Sequence, residues 1–272
     1  MKQDIVISER IPLKEGGQYL GLITFNSPET MNALDMNIGT KIGEIFMGDF
    51  APDEKVRIIA FTGTGKAFSA GGNLKGYQTV QQPKEEGGTF DTFLNATHTF
   101  FNMIEETEKP VIALVNGYCV AGGLELLLAC DFGYAAESAM IGDGHANFGM
   151  MGGGGDLTRL PRYILPARAR ELLYTGKFLT AKEALEWGLV NKVVPDEKLI
   201  DAGLEFANII ATKSPLGVAN MKHVVNTGLK SSFEDSLKLE INTTYHYCTE
   251  SFDAREGLKA FAEKRTPKYQ GR

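Results

Sequence analysis

The sequence of 272 residues predicts an α/β fold, with a layered core and a helical region appended at its C-terminal end. Three observations predict it. A short apolar run closed by glycine and followed by a helical stretch occurs twice, at 57–76 and 111–131, and strand, turn, helix order builds layered cores. The 31 glycines fall in short runs between apolar segments and not in one low-complexity tract, the distribution that close backbone approaches require. From Asp196 onward the pattern is helical almost throughout. The expected division is a core over residues 1–195 and a helical region over 196–272.

The elements follow in order. Asp4 to Glu9 and Tyr19 to Phe25 are extended runs separated by a polar segment with Gly16-Gly17, which predicts an antiparallel pair. A helix follows Asp35. Arg57 to Gly63 (RIIAFTG) is a short apolar strand, and GTGKAFSAGGNLKGY after it is a glycine-broken loop entering the next helix. Gly76 to Gly88 is polar with one proline and reads as a mobile surface loop. Thr92 to Glu106 has helical periodicity, with apolar positions at 93, 94, 100, 101 and 104, and Pro110 closes it. PVIALVNG is a buried strand and GLELLLACD a buried helix. Thr180 and Glu183 have the spacing of a capping box and open a helix through Trp187. Polar breaks near Lys213-Ser214-Pro215, Lys230-Ser231-Ser232 and Ser251 divide the helical end.

Composition narrows the function classes. At 43% hydrophobic and 23% charged the chain is an ordinary globular one. A formal charge of -6 with no basic stripe argues against nucleic acid as the main partner. No apolar run reaches membrane-spanning length and no signal-peptide pattern opens the chain, so a cytoplasmic protein with no membrane partner is expected. Cys119, Cys130 and Cys248 lack metal-ligand spacing and are expected to be buried and inert.

The stretch VNGYCVAGGLELLLACD, Val115 to Asp131, carries one carboxylate, Glu125, in apolar company ahead of Asp131. A glycine turn between strand and helix leaves backbone N–H groups uncovered where the helix dipole favours negative charge. Two such turns facing each other make an oxyanion hole; the alternative is that glycine only permits close strand-to-helix packing.

AFSAGGNLK (Ala67 to Lys75) together with VNGYCVAGGLELLLACD resembles the paired signature of the crotonase superfamily, the enoyl-CoA hydratase and isomerase group. SPETMNAL (Ser27 to Leu34), Thr158 to Pro195 and REGLKAFAEKRTPKY (Arg255 to Tyr269) extend the resemblance over nearly the whole chain. It implies a spiral of ββα units with a C-terminal helical trimerisation region, giving a homotrimer or a dimer of trimers. It also implies an acyl-CoA substrate, with coenzyme A entering as part of that substrate; the sequence shows no metal-cluster or redox-cofactor motif, and none is expected. The thioester carbonyl is expected between the backbone N–H groups of Gly72 and Gly122, where preorganised donors are commonly worth about 3–4 kcal/mol each. Coenzyme A contacts carry over to Met31, Ala33, Ala70, Leu74, Phe261 and Lys264, and the acyl pocket to Tyr245 and His246. An exposed, solvated Lys264 is the alternative for that residue.

Glu125 matches the glutamate that handles water or a substrate proton in such hydratases; capping its own helix is the alternative. The departure lies in MIGDGHANFGMMGGGGD, Met140 to Asp156. Family hydratases place a second glutamate about twenty residues after the first, and His145 stands there instead. A histidine serves as acid or base near neutral pH, with Asp143 or Asp156 to orient it; a polar loop residue held by backbone groups is the alternative. Relatives resembling 6-oxocamphor hydrolase use a histidine in this region with an aspartate nine residues on, where this chain has Gly154. The run Gly152 to Gly155 lacks the lysine and hydroxyl residue of a P-loop and reads as close packing. His98 and His223 read as helix-surface residues.

Three functions stand at this point. The first is an acyl-CoA lyase or isomerase of fatty acid metabolism, hydrating an enoyl-CoA with Glu125 and His145. The second is a carbon–carbon bond hydrolase of a cyclic β-diketone using His145. The third is a non-catalytic binding protein on the same fold.

Overall fold

The computed structural model describes residues 4–73, 82 and 84–272. Strands β1 (Val6–Pro12) and β2 (Tyr19–Phe25) pair antiparallel, with Val6 opposite Phe25. β3 (Val56–Gly63), β5 (Val111–Val115), β7 (Phe132–Ala136) and β10 (Lys192–Val194) continue that sheet in parallel, in the order β1-β2-β3-β5-β7-β10. A second sheet runs β4 (Ala67–Ser69), β6 (Tyr118–Val120), β8 (Met140–Gly142), β9 (Phe178–Thr180). From β3 onward each turn of the chain gives one strand to each sheet, the spiral of units that the resemblance implies. The second strand of each unit is only three residues long, too short for a period-two pattern to announce it.

Helix α1 (Met36–Ile45) starts where Asp35 accepts from the N–H groups of Asn37 and Ile38 at 2.9 and 3.0 Å, satisfying two otherwise orphaned donors. α2 (Phe90–Glu106) and α3 (Gly122–Ala129) follow, and all eight residues of α3 are buried. α4 (Asp156–Tyr163), α5 (Pro166–Thr175) and α6 (Ala181–Trp187) come next, the last with the expected capping box, Thr180 N–H donating to Glu183 at 2.8 Å. The helical end divides into α7 (Leu199–Ala211), α8 (Pro215–Gly228), α9 (Phe233–Glu250) and α10 (Phe252–Ala262). Ser214, Ser232 and Ser251 each accept from the backbone N–H three residues on and so start the last three.

Alternation along the strands decides which layer each side chain joins. Ile59, Phe61, Val111, Ala113 and Val115 face the inner core with Leu124, Leu126 and Leu127 of α3. Ile58, Ala60, Ile112 and Leu114 face outward onto Leu199, Ala202 and Ala207 of α7. Each fully buried Ile, Leu or Phe contributes roughly 1.5–3 kcal/mol. α7 thus falls in the sequence range expected for the helical region and packs as a layer of the sheet. Lys222 of α8 reaches under α2, donating to Asp131 at 3.0 Å and to the Lys109 and Ile104 carbonyls.

One expectation changes here. Cys248, expected to be buried, is exposed on α9, because that helix has no buried residue in this chain. The loop read from Gly76 to Gly88 and the helix start before it lie largely outside the described residues; Lys84–Glu86 forms one tight turn. Among the described residues, no helix is long and apolar enough to cross a membrane.

Candidate active site

Asn32 organises the first turn. Its fully buried amide accepts from Ser27 N–H at 2.9 Å and donates to the Ala67 carbonyl at 2.7 Å, while its own carbonyl receives the Ser69 hydroxyl at 2.8 Å. The strap through Met31, Ala33 and Leu34 is thereby laid along β4. Ala70 N–H reaches the Met31 carbonyl at 3.0 Å, and Leu34 N–H reaches the Gly71 carbonyl at 2.7 Å. Met31 and Asn32 both have φ of 55°, a strained region held only by such bonding.

The second turn sits against the first. Ala121 has φ 50° and ψ -116° at the entry to α3, and Gly122 opens the helix, so its N–H has no intrahelical acceptor. Gly71 has φ 88°, and a Cβ there would lie 2.7 Å from the Ala121 Cβ and 3.0 Å from the Gly122 nitrogen. Only glycine lets the turns meet. Gly72 and Gly122 line one cavity with Glu125 and His145.

Glu125 is 5% exposed. Its Oε1 accepts from the N–H groups of Gly153 and Gly154 at 3.2 and 2.5 Å, so the carboxylate is held by the glycine run and caps nothing in its own helix. A Cβ on Gly154 would collide with Glu125, and one on Gly152 with Asp156. Arg159 steadies the run, donating to the Gly154 carbonyl at 3.0 Å while paired with Glu105.

His145 follows β8 in a tight turn, His145–Phe148. Its Nδ1 lies 2.7 Å from Asp143 Oδ1 and 3.8 Å from Asp156 Oδ2. Burial pulls the imidazole pKa down, but the hydrogen bond and charge of Asp143, with the charge of Glu125, leave it above its ordinary value. Burial likewise opposes Asp143's charge, and hydrogen bonds from His145 and Asp156 hold that carboxyl below its usual range. Asp156 is pushed up to about 9, by burial first and then by Asp143 and Glu125. Asp143, His145 and Asp156 bring ligand-type atoms within 4.8 Å of one another. The 2.7 Å contact is of hydrogen-bond length, and the cluster can act as an acid–base assembly. With Nδ1 engaged, Nε2 is the ring nitrogen left for a substrate.

The cavity measures about 330 Å³. Its walls come from α1, with Met36 and Ile42, and from α2, with Phe90, Phe93, Leu94, Phe100 and Phe101. The periodicity of Thr92 to Glu106 gave that helix; that the same face lines a cavity was not signalled. Ala70 borders a smaller recess of about 60 Å³ shared with Gly72 and His145. Leu74 lies outside the described residues. Phe261 is 85% exposed on α10, and Lys264 beyond it has φ 53°; neither lines the cavity. Tyr245 and His246 also lie away from it in this chain: His246 pairs with Glu250 at 2.7 Å and stacks edge-on with Tyr245.

The sequence matches the enoyl-CoA hydratase/isomerase family over residues 15–272. Carnitinyl-CoA dehydratase of Salmonella enteritidis PT4 is 36% identical over 270 residues, covering 98% of this chain and 100% of that protein. The Escherichia coli O157:H7 protein of the same name is 37% identical over the same span and shares. The crystal structure of enoyl-CoA hydratase from Bacillus anthracis superposes with a TM-score of 0.89 at 33% identity, covering 99% of this chain and 100% of that one. With sequence and fold shared from end to end, the chain belongs to the enoyl-CoA hydratase/isomerase family, enzymes of the crotonase fold.

Proposed function

We propose that the protein hydrates the double bond of an enoyl-CoA thioester, with Glu125 and His145 as the acid–base pair. The observation that carries this is convergence: Glu125 from α3 and His145 from the segment after β8 line one cavity with Gly72 and Gly122. The Gly72 and Gly122 N–H groups take the thioester oxygen as enolate charge develops on it. Glu125 accepts a proton from water as its oxygen attacks the β-carbon, and the His145 imidazolium gives its Nε2 proton to the α-carbon. One water is added; exchange with solvent then returns Glu125 and His145 to their starting states. Dehydration is the same path reversed, which accords with the name of the carnitinyl-CoA dehydratases. Met31, Ala33, Ala70 and Leu74 are proposed to hold coenzyme A with Phe261 and Lys264, and Tyr245 and His246 to border an acyl pocket, these last four reaching the cavity of a neighbouring subunit in the assembly.

The assembly proposed is a homotrimer or dimer of trimers. Phe233, Ile241 and Tyr245 are 80%, 70% and 62% exposed and, with Leu237, repeat every fourth residue along one face of α9. An apolar stripe of that kind is a surface that another chain covers.

A panel of aliphatic and cyclic enoyl-CoA thioesters, followed by loss of conjugated absorbance and by product mass, tests the activity. A gain of one water supports it. A second reading, hydrolysis of a carbon–carbon bond in a cyclic β-diketone, is favoured by the Asp143–His145 pair at 2.7 Å. Opening of a CoA-free diketone with no turnover of the thioesters would establish that one instead.

A further inference from the structure

Asp156, the first residue of α4, is fully buried, and neither of its carboxyl oxygens has a hydrogen-bond donor among the described residues. Its polar neighbours give it no hydrogen bond. Glu125 approaches from α3, and Asp143 with His145 from the segment after β8; the one cation of its own helix near the glycine run, Arg159, is spent on Glu105, Asn102 and the Gly154 carbonyl. His145 turns Nδ1 to Asp143 at 2.7 Å and stands 3.8 Å from Asp156. A third carboxylate here would sit beside two others with no donor to stabilise it, an arrangement that favours neutralisation over charge.

We propose that Asp156 is a positioning residue that keeps its proton at neutral pH and donates it as a hydrogen bond to the Asp143 or Glu125 carboxylate. Asp143 and the His145 ring then stay paired beside a neutral acid, and no third carboxylate charge crowds Glu125. Gly152 serves the same end, since any Cβ there would displace the Asp156 carboxyl. Burial and the two neighbouring carboxylates raise the Asp156 pKa to about 9, in accord with a retained proton.

The first test needs no turnover: infrared difference spectra of wild type against D156N at neutral pH. A protonated-carboxyl band present in wild type and absent in D156N is the expected result; its absence from wild type overturns the proposal. The second test rests on the hydratase reading. D156L, of similar volume but without a donor, is expected to lose about tenfold or more in kcat with little change in KM. D156N, which can still donate, recovers most of that loss and lacks the decline wild type shows above about pH 9. Equal damage in D156N and D156L, or tight Asp156-dependent binding of one divalent ion per chain, overturns the assignment. Failure of every thioester would count against the hydratase alone, because the infrared band is read on the free protein.

Discussion

His145 Nδ1 lies 2.7 Å from Asp143 Oδ1, and the backbone N–H of the same histidine reaches the other Asp143 oxygen at 3.2 Å. The Asp143 carboxylate is therefore held at both oxygens by one residue, and the ring has one nitrogen consumed. Because the folded pKa of His145 is raised, the charged ring stabilises the fold fully below its ordinary value of 6.5, and that contribution disappears as pH rises through the folded value. D143N is expected to lower the His145 pKa read by NMR. It should cost about 1–3 kcal/mol of stability near pH 6 and less near pH 8.5 in denaturant titrations. Equal losses at both pH values would contradict the charge pairing.

Gly71→Ala would press a methyl group onto Ala121 and the Gly122 nitrogen at a backbone φ of 88°. Strain of about 1–3 kcal/mol is expected in denaturant unfolding. A shifted Gly122 donor should lower kcat by about a hundredfold. Unfolding and steady-state assays on one preparation separate the two effects.

Lys222 is 7% exposed at its side chain and pairs with Asp131 at 3.0 Å. K222M leaves the Asp131 carboxylate uncompensated and is expected to destabilise by about 3–5 kcal/mol. Burial already raises the Asp131 pKa, so its contribution is full below its ordinary value of 3.8 and is lost as pH rises. The K222M deficit should accordingly grow with pH and shrink in the K222M/D131N double variant. Thermal melts across a pH series read both.

The proposed assembly predicts a solution mass three times that of one chain, or six times, by light scattering at micromolar concentration. I241E should shift the protein toward monomer; a wild-type monomer would contradict the assembly.

Local rules in the sequence carried much of this structure. Asp35, Thr180 with Glu183, Ser214, Ser232 and Ser251 act within one helical turn, so each boundary they set was readable. The strands of the second sheet were not, since three residues pair across units 51 positions apart, Ala67 with Tyr118. Glu125 and His145 stood out as polar residues in apolar or glycine-rich company. The neutral role inferred for Asp156 was hidden, because it depends on Glu125, 31 positions earlier, folding against it. The same holds for Lys222 and Asp131, 91 apart. Cys248 was misread because its stretch is mixed in polarity while its helix face is open.

Glu125 and His145 are proposed to act as one acid–base pair on one bound thioester. The most direct measurement is kcat for enoyl-CoA hydration in wild type, E125Q, H145A and the double variant. Each single change is expected to cost about a thousandfold, and the double little more than either, as groups acting in one step do. Multiplying losses, or full activity in either single variant, would contradict it.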